Sequence, residues 1–596
     1  MSVVSSRVSS VSSILKGSGV RSSLVGTQKR ICFKLPQNVE TTLLEYEDGR
    51  DRQAYQDMIC ILRDSNVKDY ELLELVNNLQ KCMSKLGPNH RHLIEVLLNT
   101  NWTSRSSEII AAFKIFIEDL ICMHIYHSKL IIGKLILQFR KADADEAEWI
   151  NGKCPKSYLN KTRHVHDLLK KFLKIIPMLN DVLIHTLTSL YPHTSESILV
   201  TEQYIFSLLQ IIEYAPNLRR EILSLVINRL IALDVSVPPV EIQNHEEESM
   251  EDDDDEALFK LDDSTSENTS NAPPVKKMKH PGAQKLDVCL EHVFSFIYNS
   301  CHIEGHLEME LLKSIYADLL HIFETIILPT HASHHVQFIM FYFCSFKLTV
   351  AEAFIKWLWQ KVSNPNVAPI IRQSSVSYIA SLLARTTYSP VSLIQGVLSE
   401  MSKWIHGYLS SQDSLECANS DVRVHTVFYS VCQAMFYLLA FRHKDIIDGK
   451  DNLLFLQGLN MNKIITCRLN PLRVCQPAVV QNFAAVTRKY QLAYCYTVIE
   501  RNSRSHMPIV QSSNRSVAWL DTFFPFDPYL LITSGHRITP IYNNSQGSIG
   551  PVEVPNSKKS ECEEDDFMDE SFTSHSLESQ KLNRFSYSTS PGFIYS

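Results

Sequence analysis

The chain has 596 residues, beyond the ~250–300 at which one hydrophobic core stops growing, so it divides into domains or stacks repeats. It is 45% hydrophobic and 21% charged, ordinary for a chain that buries a core. Its formal net charge of -7 gives no electrostatic reason to hold duplex nucleic acid, where affinity comes largely from counterion release at phosphates. Direct DNA binding is expected to be weak or absent, and the partners to be proteins.

Residues 1–39 contain no Asp or Glu, are rich in Ser, and carry Arg7, Lys16, Arg21, Lys29, Arg30 and Lys34. They read as a disordered basic tail, although the same composition describes a mitochondrial transit peptide. From 40 to 236 the spacing predicts successive amphipathic helices. Leu72, Leu75, Val76, Leu79 and Met83 form one stripe at intervals of three and four. Ile205, Leu208, Leu209 and Ile212 form a second, and Ile222, Leu225, Val226, Leu230 and Leu233 a third. Each such helix buries one face, so neighbours have to stack to cover the rest.

Composition changes abruptly after 236. Glu246, Glu247, Glu248, Glu251, Asp252, Asp253, Asp254, Asp255 and Glu256 crowd eleven positions, and a polar stretch follows. Self-repulsion and a lack of apolar groups predict a disordered loop over 237–284. Helical periodicity resumes over 285–546, where apolar spacing of three to four argues against strands. The segment DTFFPFDPYLL, with prolines that stop a helix, is expected to pack its aromatic rings back on the last repeats. Residues 547–596 hold a second acidic run and Ser-rich sequence, and read as disordered. The fold class is therefore all-α, a HEAT-like helical-repeat solenoid with two tails and a central acidic loop.

The 14 cysteines are scattered without a C-x-x-C pair, as expected for reduced thiols in a cytosolic or nuclear protein; Cys60, Cys344, Cys432 and Cys495 lie in apolar helical stretches and are expected to be buried. No secretory signal is visible, and the most apolar windows, such as 338–346, fall short of the ~20 residues that cross a bilayer. No membrane partner is expected. Neither G-x-x-x-x-G-K-S/T nor G-x-G-x-x-G occurs, nor H-E-x-x-H, G-x-S-x-G or a kinase catalytic loop, so the chain reads as non-enzymatic, without a cofactor. His331, His334 and His335 could suggest a metal, but no Cys or carboxylate stands beside them at ligand spacing. They read instead as the polar first turn of a helix N-capped by Thr330 or Ser333.

Lys276, Lys277 and Lys279, flanked by prolines in the acidic loop, form a candidate nuclear import signal or a solvated counter-charge. Ser249, with Glu251 and Asp252 behind it, suits an acid-directed kinase, as does Ser560; Ser590 before Pro591 suits a proline-directed one.

Several blocks then carry a resemblance. ILPTHASHHVQFIMFYFCSFKLTVAEAF, PIIRQSSVSYIASLLAR, FYSVCQAMFYLLAFRHK, YQLAYCYTVIERN and LDTFFPFDP are dense between 286 and 528, and TTLLEYEDG and IIEYAPNLRREIL lie upstream. Together they resemble the RNA polymerase I-specific transcription initiation factor family. The resemblance implies a non-catalytic HEAT-repeat protein of the nucleus and nucleolus. It implies binding to the stalk side of RNA polymerase I and to a promoter-bound selectivity factor at ribosomal RNA genes, tuned by protein kinases. It also aligns YPHTSES with a regulatory segment, which carries phosphorylation onto Ser197, although the basic residues expected ahead of that serine are missing. A nuclear transport receptor or another helical-repeat scaffold is the alternative reading.

Overall fold

The computed structural model describes residues 36, 38–64, 67–140, 149, 154–245, 278–413, 422–447, 450–504, 520 and 523–544. Two compact units emerge, one up to Ile125 and one from Tyr126 onward.

In the first unit five helices follow one another: α1 (Val39–Glu47), α2 (Gln53–Asp64), α3 (Asp69–Lys81), α4 (Arg91–Asn99) and α5 (Ser107–Met123). Asn38 caps α1 by accepting from the amides of Glu40 and Thr41. The stripe Leu72, Leu75, Val76, Leu79 and Met83 is buried, as its spacing demands, and α3 lies along α5. Trp102 stacks on Phe113 with ring centroids 5.7 Å apart. Cys60, expected in the core, is exposed on α2, because its neighbours Met58, Ile59, Ile61 and Leu62 take the inward positions.

The second unit opens with α6 (Ser128–Leu137), α7 (Lys156–Ile175), α8 (Leu179–Ser189), α9 (Ile198–Tyr214) and α10 (Arg219–Ser236). The apolar stripes of α9 and α10 are buried as expected, and α10 is covered on more than one side, since Leu223, Ile227 and Ile231 are buried too. The stretch read as a loop from 237 is ordered at both ends. A short helix α11 (Pro239–His245) buries Val237 and Ile242, and α12 (Pro281–Cys301) starts with Pro281 at its first turn. Gly282 is required there, because a Cβ would lie 2.7 Å from the Val237 side chain. The residues between, 246–277, lie outside the described residues.

A hairpin of two-residue strands, β1 (His302–Ile303) and β2 (His306–Leu307), joins α12 to α13 (Met309–Ile322). Its turn residues Glu304 and Gly305 both have positive φ (51° and 82°), the twist that a two-residue hairpin favours. A π-helical turn (Phe323–Ile327) then leads to α14 (Phe338–Ser345), α15 (Leu348–Ser363), α16 (Pro369–Arg385), α17 (Val391–Asp413) and α18 (Thr426–Ile446). Short helices close the chain: α19 (Lys450–Gly458), α20 (Met461–Thr466), α21 (Pro471–Val474), α22 (Pro477–Lys489), α23 (Cys495–Arg504) and α24 (Gly535–Ile538). Within this unit α15 packs on α16, α16 on α18 and α18 on α22, the near-neighbour stacking of a helical-repeat protein. The architecture is all-α.

Among the described residues one helical segment, Val422–Ile446, is long and apolar enough to cross a membrane, which the shorter sequence windows did not suggest; 78% of its most apolar stretch is buried against its neighbours. Its hydrophobicity is used by the core. Buried thiols follow the same logic: burial pushes Cys301 up to about 12 and Cys495 up to about 11, offset in part by Arg219 and by Thr487 respectively.

The histidine cluster is built differently from its sequence reading. Residues 331–337 are an irregular turn, and α14 begins only at Phe338. Thr330 bonds back to the Ile326 carbonyl, so neither it nor Ser333 is the cap. The acceptor comes from α10 instead. The fully buried Asp234 carboxylate takes the amides of His334 (2.8 Å), His335 (2.8 Å) and Val336 (3.1 Å), and the Nδ1 of His335 at 2.8 Å. Burial alone would raise this carboxyl, but the charge and hydrogen bond of His335 together with the amides hold it below the usual range.

The segment after 520 is a strap. Phe526 is buried among Phe338, Phe341 and Tyr378, and its amide donates to Ser381 on α16 at 3.0 Å. Phe524 stacks on Tyr437 of α18 at 4.3 Å. The rings therefore cover the middle helices α14 and α16 as well as α18, not the last repeats alone. Further on, the buried Asp287 of α12 accepts from the amides of Thr533 and Ser534 at 2.7 Å each. Arg537 holds Glu291 with both carboxylate oxygens (2.7–3.0 Å) and donates to Ser295 and Tyr342. The strap ends on α16, where Asn543 donates to the Arg385 carbonyl at 2.6 Å.

Two outcomes follow from these contacts. Asp234→Ala leaves an imidazole and three amides without their buried acceptor, a loss of about 3–5 kcal/mol. Amide exchange at 334–336 is expected to quicken by on the order of 100-fold or more; unchanged protection would contradict the capping role. In the native chain this stabilisation is present above the free carboxyl pKa of about 3.9 and is lost as pH falls through the depressed folded value. Arg537→Ala strands Glu291 and is expected to free the strap, read as chymotryptic cleavage at Tyr529 and Tyr542 while α9 and α10 stay protected.

Candidate docking site

The loop from 190 to 197, between α8 and α9, is held from below by long side chains from elsewhere in the unit. Lys285 at the start of α12 donates to the carbonyls of Thr194 and Glu196, 2.6 Å each. Arg140 reaches the Glu196 carboxylate at 2.8 Å and the Leu190 carbonyl at 3.3 Å. Burial pulls the Lys285 ammonium below its ordinary value, with Cys289 and Glu196 opposing that drop. Tyr191 packs edge-on against Tyr204 at 5.4 Å, and the Arg229 guanidinium sits 5.3 Å from its ring. Burial raises the Tyr191 phenol well above its usual value, so it stays neutral.

What the loop turns outward is a row of small polar groups. Pro192 is buried, whereas His193, Thr194, Ser195 and Ser197 are exposed. The Ser195 hydroxyl meets His193 Nδ1 at 2.9 Å. Ser197 is the N-cap of α9: its backbone is extended (φ -62°, ψ 156°) and its Oγ accepts from the Val200 amide at 3.3 Å. A phosphate at this position would stand at the positive end of a 17-residue helix, where an anion is favoured, so modification would add charge without unwinding α9. The site is a row of exposed hydroxyls on a loop braced by Lys285 and Arg140.

Of the other sequence-derived candidates, Lys279 is exposed ahead of α12, while Lys276 and Lys277 lie outside the described residues. Ser249, Ser590 and the acidic run, Glu246 through Glu256, also lie outside them. Arg140, Lys285 and Arg229 were not singled out from sequence; Arg140 and Lys285 act across 50 to 91 positions, and nothing local marks either. A concavity of about 620 Å³ lies between α8, α10 and the π-helical turn, bordered by Arg220, Glu221, Asn228 and His321. Arg220 is already committed there, its Nε 2.9 Å from Asp318. Among the described residues no three His, Cys, Asp or Glu side chains converge as metal ligands.

Residues 34–548 match the family described as RNA polymerase I specific transcription initiation factor RRN3. The mouse RNA polymerase I-specific transcription initiation factor RRN3 is 36% identical over 562 residues, covering 89% of this chain and 84% of the mouse protein. The fission yeast factor rrn3 is 25% identical over 89% of this chain and 87% of its own length. The crystal structure of RNA polymerase I transcription initiation factor Rrn3 superposes with a TM-score of 0.66 at 21% identity, covering 85% of this chain and 97% of that one, which shows a shared fold. The chain belongs to the RNA polymerase I-specific transcription initiation factor RRN3 family.

Proposed function

We infer that this chain is a non-enzymatic initiation factor of the nucleus and nucleolus that binds the stalk side of RNA polymerase I. It bridges the enzyme to a promoter-bound selectivity factor at ribosomal RNA genes. Family membership carries this reading, and the relatives' names, RNA polymerase I-specific transcription initiation factors, supply the partner. The stacked helices support it physically, since rigid repeats offer a long surface on which two partners can bind at once.

The docking loop is the regulated contact in this account. Its backbone is fixed by Lys285 and Arg140, so phosphorylation by protein kinases at Ser197 changes surface charge rather than fold. Ser249 and Ser590 are proposed as further regulatory serines. The acidic residues of 246–256 are proposed to screen basic partners or compete for them. Lys276, Lys277 and Lys279 are proposed as the import signal that brings the chain to the nucleus.

Two measurements test this reading. Affinity capture of purified RNA polymerase I is expected to weaken about tenfold for Ser197→Asp, which retains an N-cap oxygen. Ser197→Ala loses the cap, costs about 1 kcal/mol of stability and should bind normally. Equal binding by both variants and the native chain would remove Ser197 from the contact. In cells, replacing Lys276, Lys277 and Lys279 with Ala should shift a fluorescent fusion to the cytoplasm; unchanged nuclear accumulation would place the signal elsewhere.

A further inference from the structure

Helices α20, α21 and α23, with the turns between them, gather positive charge in one part of the second unit. Between 461 and 504 there are seven Lys and Arg residues and one carboxylate, Glu500, in a protein whose net charge is -7. Arg488 and Lys489 lie over the rings of Tyr496 and Tyr490, at 5.4 and 5.3 Å. The remaining five, Lys463, Arg468, Arg473, Arg501 and Arg504, are exposed, and Arg504 alone of them meets Glu500, at 2.5 Å.

Two clamps align these residues. The Tyr494 amide donates to Asn462 at the start of α20, and Asn470 and Asn502 exchange amide hydrogen bonds of 2.7 and 3.3 Å. Asn462 to Asn470 therefore runs parallel to Tyr494 to Asn502, eight residues on each side. On α23, Cys495 and Val498 face inward, while Tyr494, Thr497, Arg501 and Arg504 recur at 3, 7 and 10 positions on one outer face. The result is a stripe of cations on the order of 15 Å long, the length of a ten-residue helix, headed by Tyr494, which is 75% exposed.

We propose that this stripe is the intramolecular docking site of the chain's own acidic segment 561–570, ECEEDDFMDE, which lies outside the described residues. Seven of its ten residues are carboxylates, set against five cations, and Phe567 and Met568 supply apolar groups for the exposed Tyr494. Reach is adequate. The strap ends where Asn543 bonds to Arg385, whose guanidinium lies 4.6 Å from the Phe441 ring on α18. Twelve residues earlier on the same helix, Tyr429 donates to the Leu469 carbonyl beside Arg468. That path is on the order of 30 Å, whereas the sixteen residues 545–560 can extend to about 53 Å. A tether of this length gives an effective concentration on the order of 1 mM, so a contact too weak to form between separate molecules is occupied.

The test uses the full chain with the photo-crosslinker benzoylphenylalanine in place of Phe567. Crosslinks are expected within one molecule, to residues 461–504. Their yield should fall about fivefold or more when salt rises from about 0.1 M to about 1 M, where the screening length shrinks from ~10 Å to ~3 Å. The pair Arg468→Glu and Arg501→Glu should abolish them with the circular dichroism spectrum unchanged, and adding Glu563→Lys, Glu564→Lys and Asp565→Lys should restore them. Crosslinks to another surface, between two molecules, or unaffected by charge reversal would overturn the proposal. Displacement of the crosslinks by equimolar single-stranded oligonucleotide would likewise overturn it, assigning the stripe to nucleic acid.

Discussion

Two buried carboxylates, Asp234 and Asp287, are the constraint on which the second unit depends. Each takes up backbone amides that a helix start or an irregular strap would otherwise leave unpaired in a dry interior. They do so across 101 and 247 positions of sequence. A buried amide without a partner costs about 1–3 kcal/mol, so each carboxylate fixes where its distant segment must lie. In an array of helices touching only near neighbours, stability is a sum of local terms and the array can open anywhere. The strap changes that. By contacting α12, α14, α16 and α18 in turn it couples helices that the repeat pattern alone would leave independent.

The helices themselves were legible because their signal is local. Leu72, Leu75, Val76, Leu79 and Met83 need only a 3.6-residue period to be assigned to one buried face, and all five are buried. The all-α class followed from the same evidence. Cys60 was not legible in this way, because an apolar neighbourhood does not say which of its members face inward. Helix α11 was hidden by the acidic run beside it, because composition averaged over 237–284 conceals a short apolar anchor at Val237 and Ile242. The capping of 334–336 was illegible in principle. A nearby Thr or Ser is the ordinary cap, and nothing around Asp234 marks it as the acceptor for a turn one hundred residues later.

The docking surface divides in the same way. Ser197 could be singled out as a residue, through resemblance, but not as a helix cap on a loop braced by Arg140 and Lys285. That bracing gives the proposed regulation its physical form. A charge added to a mobile loop can be absorbed by rearrangement, whereas one added to a fixed surface is felt by whatever docks there. On this reading the outer row of 193–197 is a switchable contact, and the stacked helices behind it set its position.

On the proposed reading the chain acts as a stoichiometric bridge between polymerase and promoter, not as a catalyst. The most direct measurement titrates the chain into purified RNA polymerase I and an immobilised ribosomal RNA promoter carrying its selectivity factor, and counts polymerase retained per chain added. Retention is expected to rise linearly and to saturate at one chain per polymerase. Polymerase retained equally without the chain, or loaded many times over by a single chain, would contradict it.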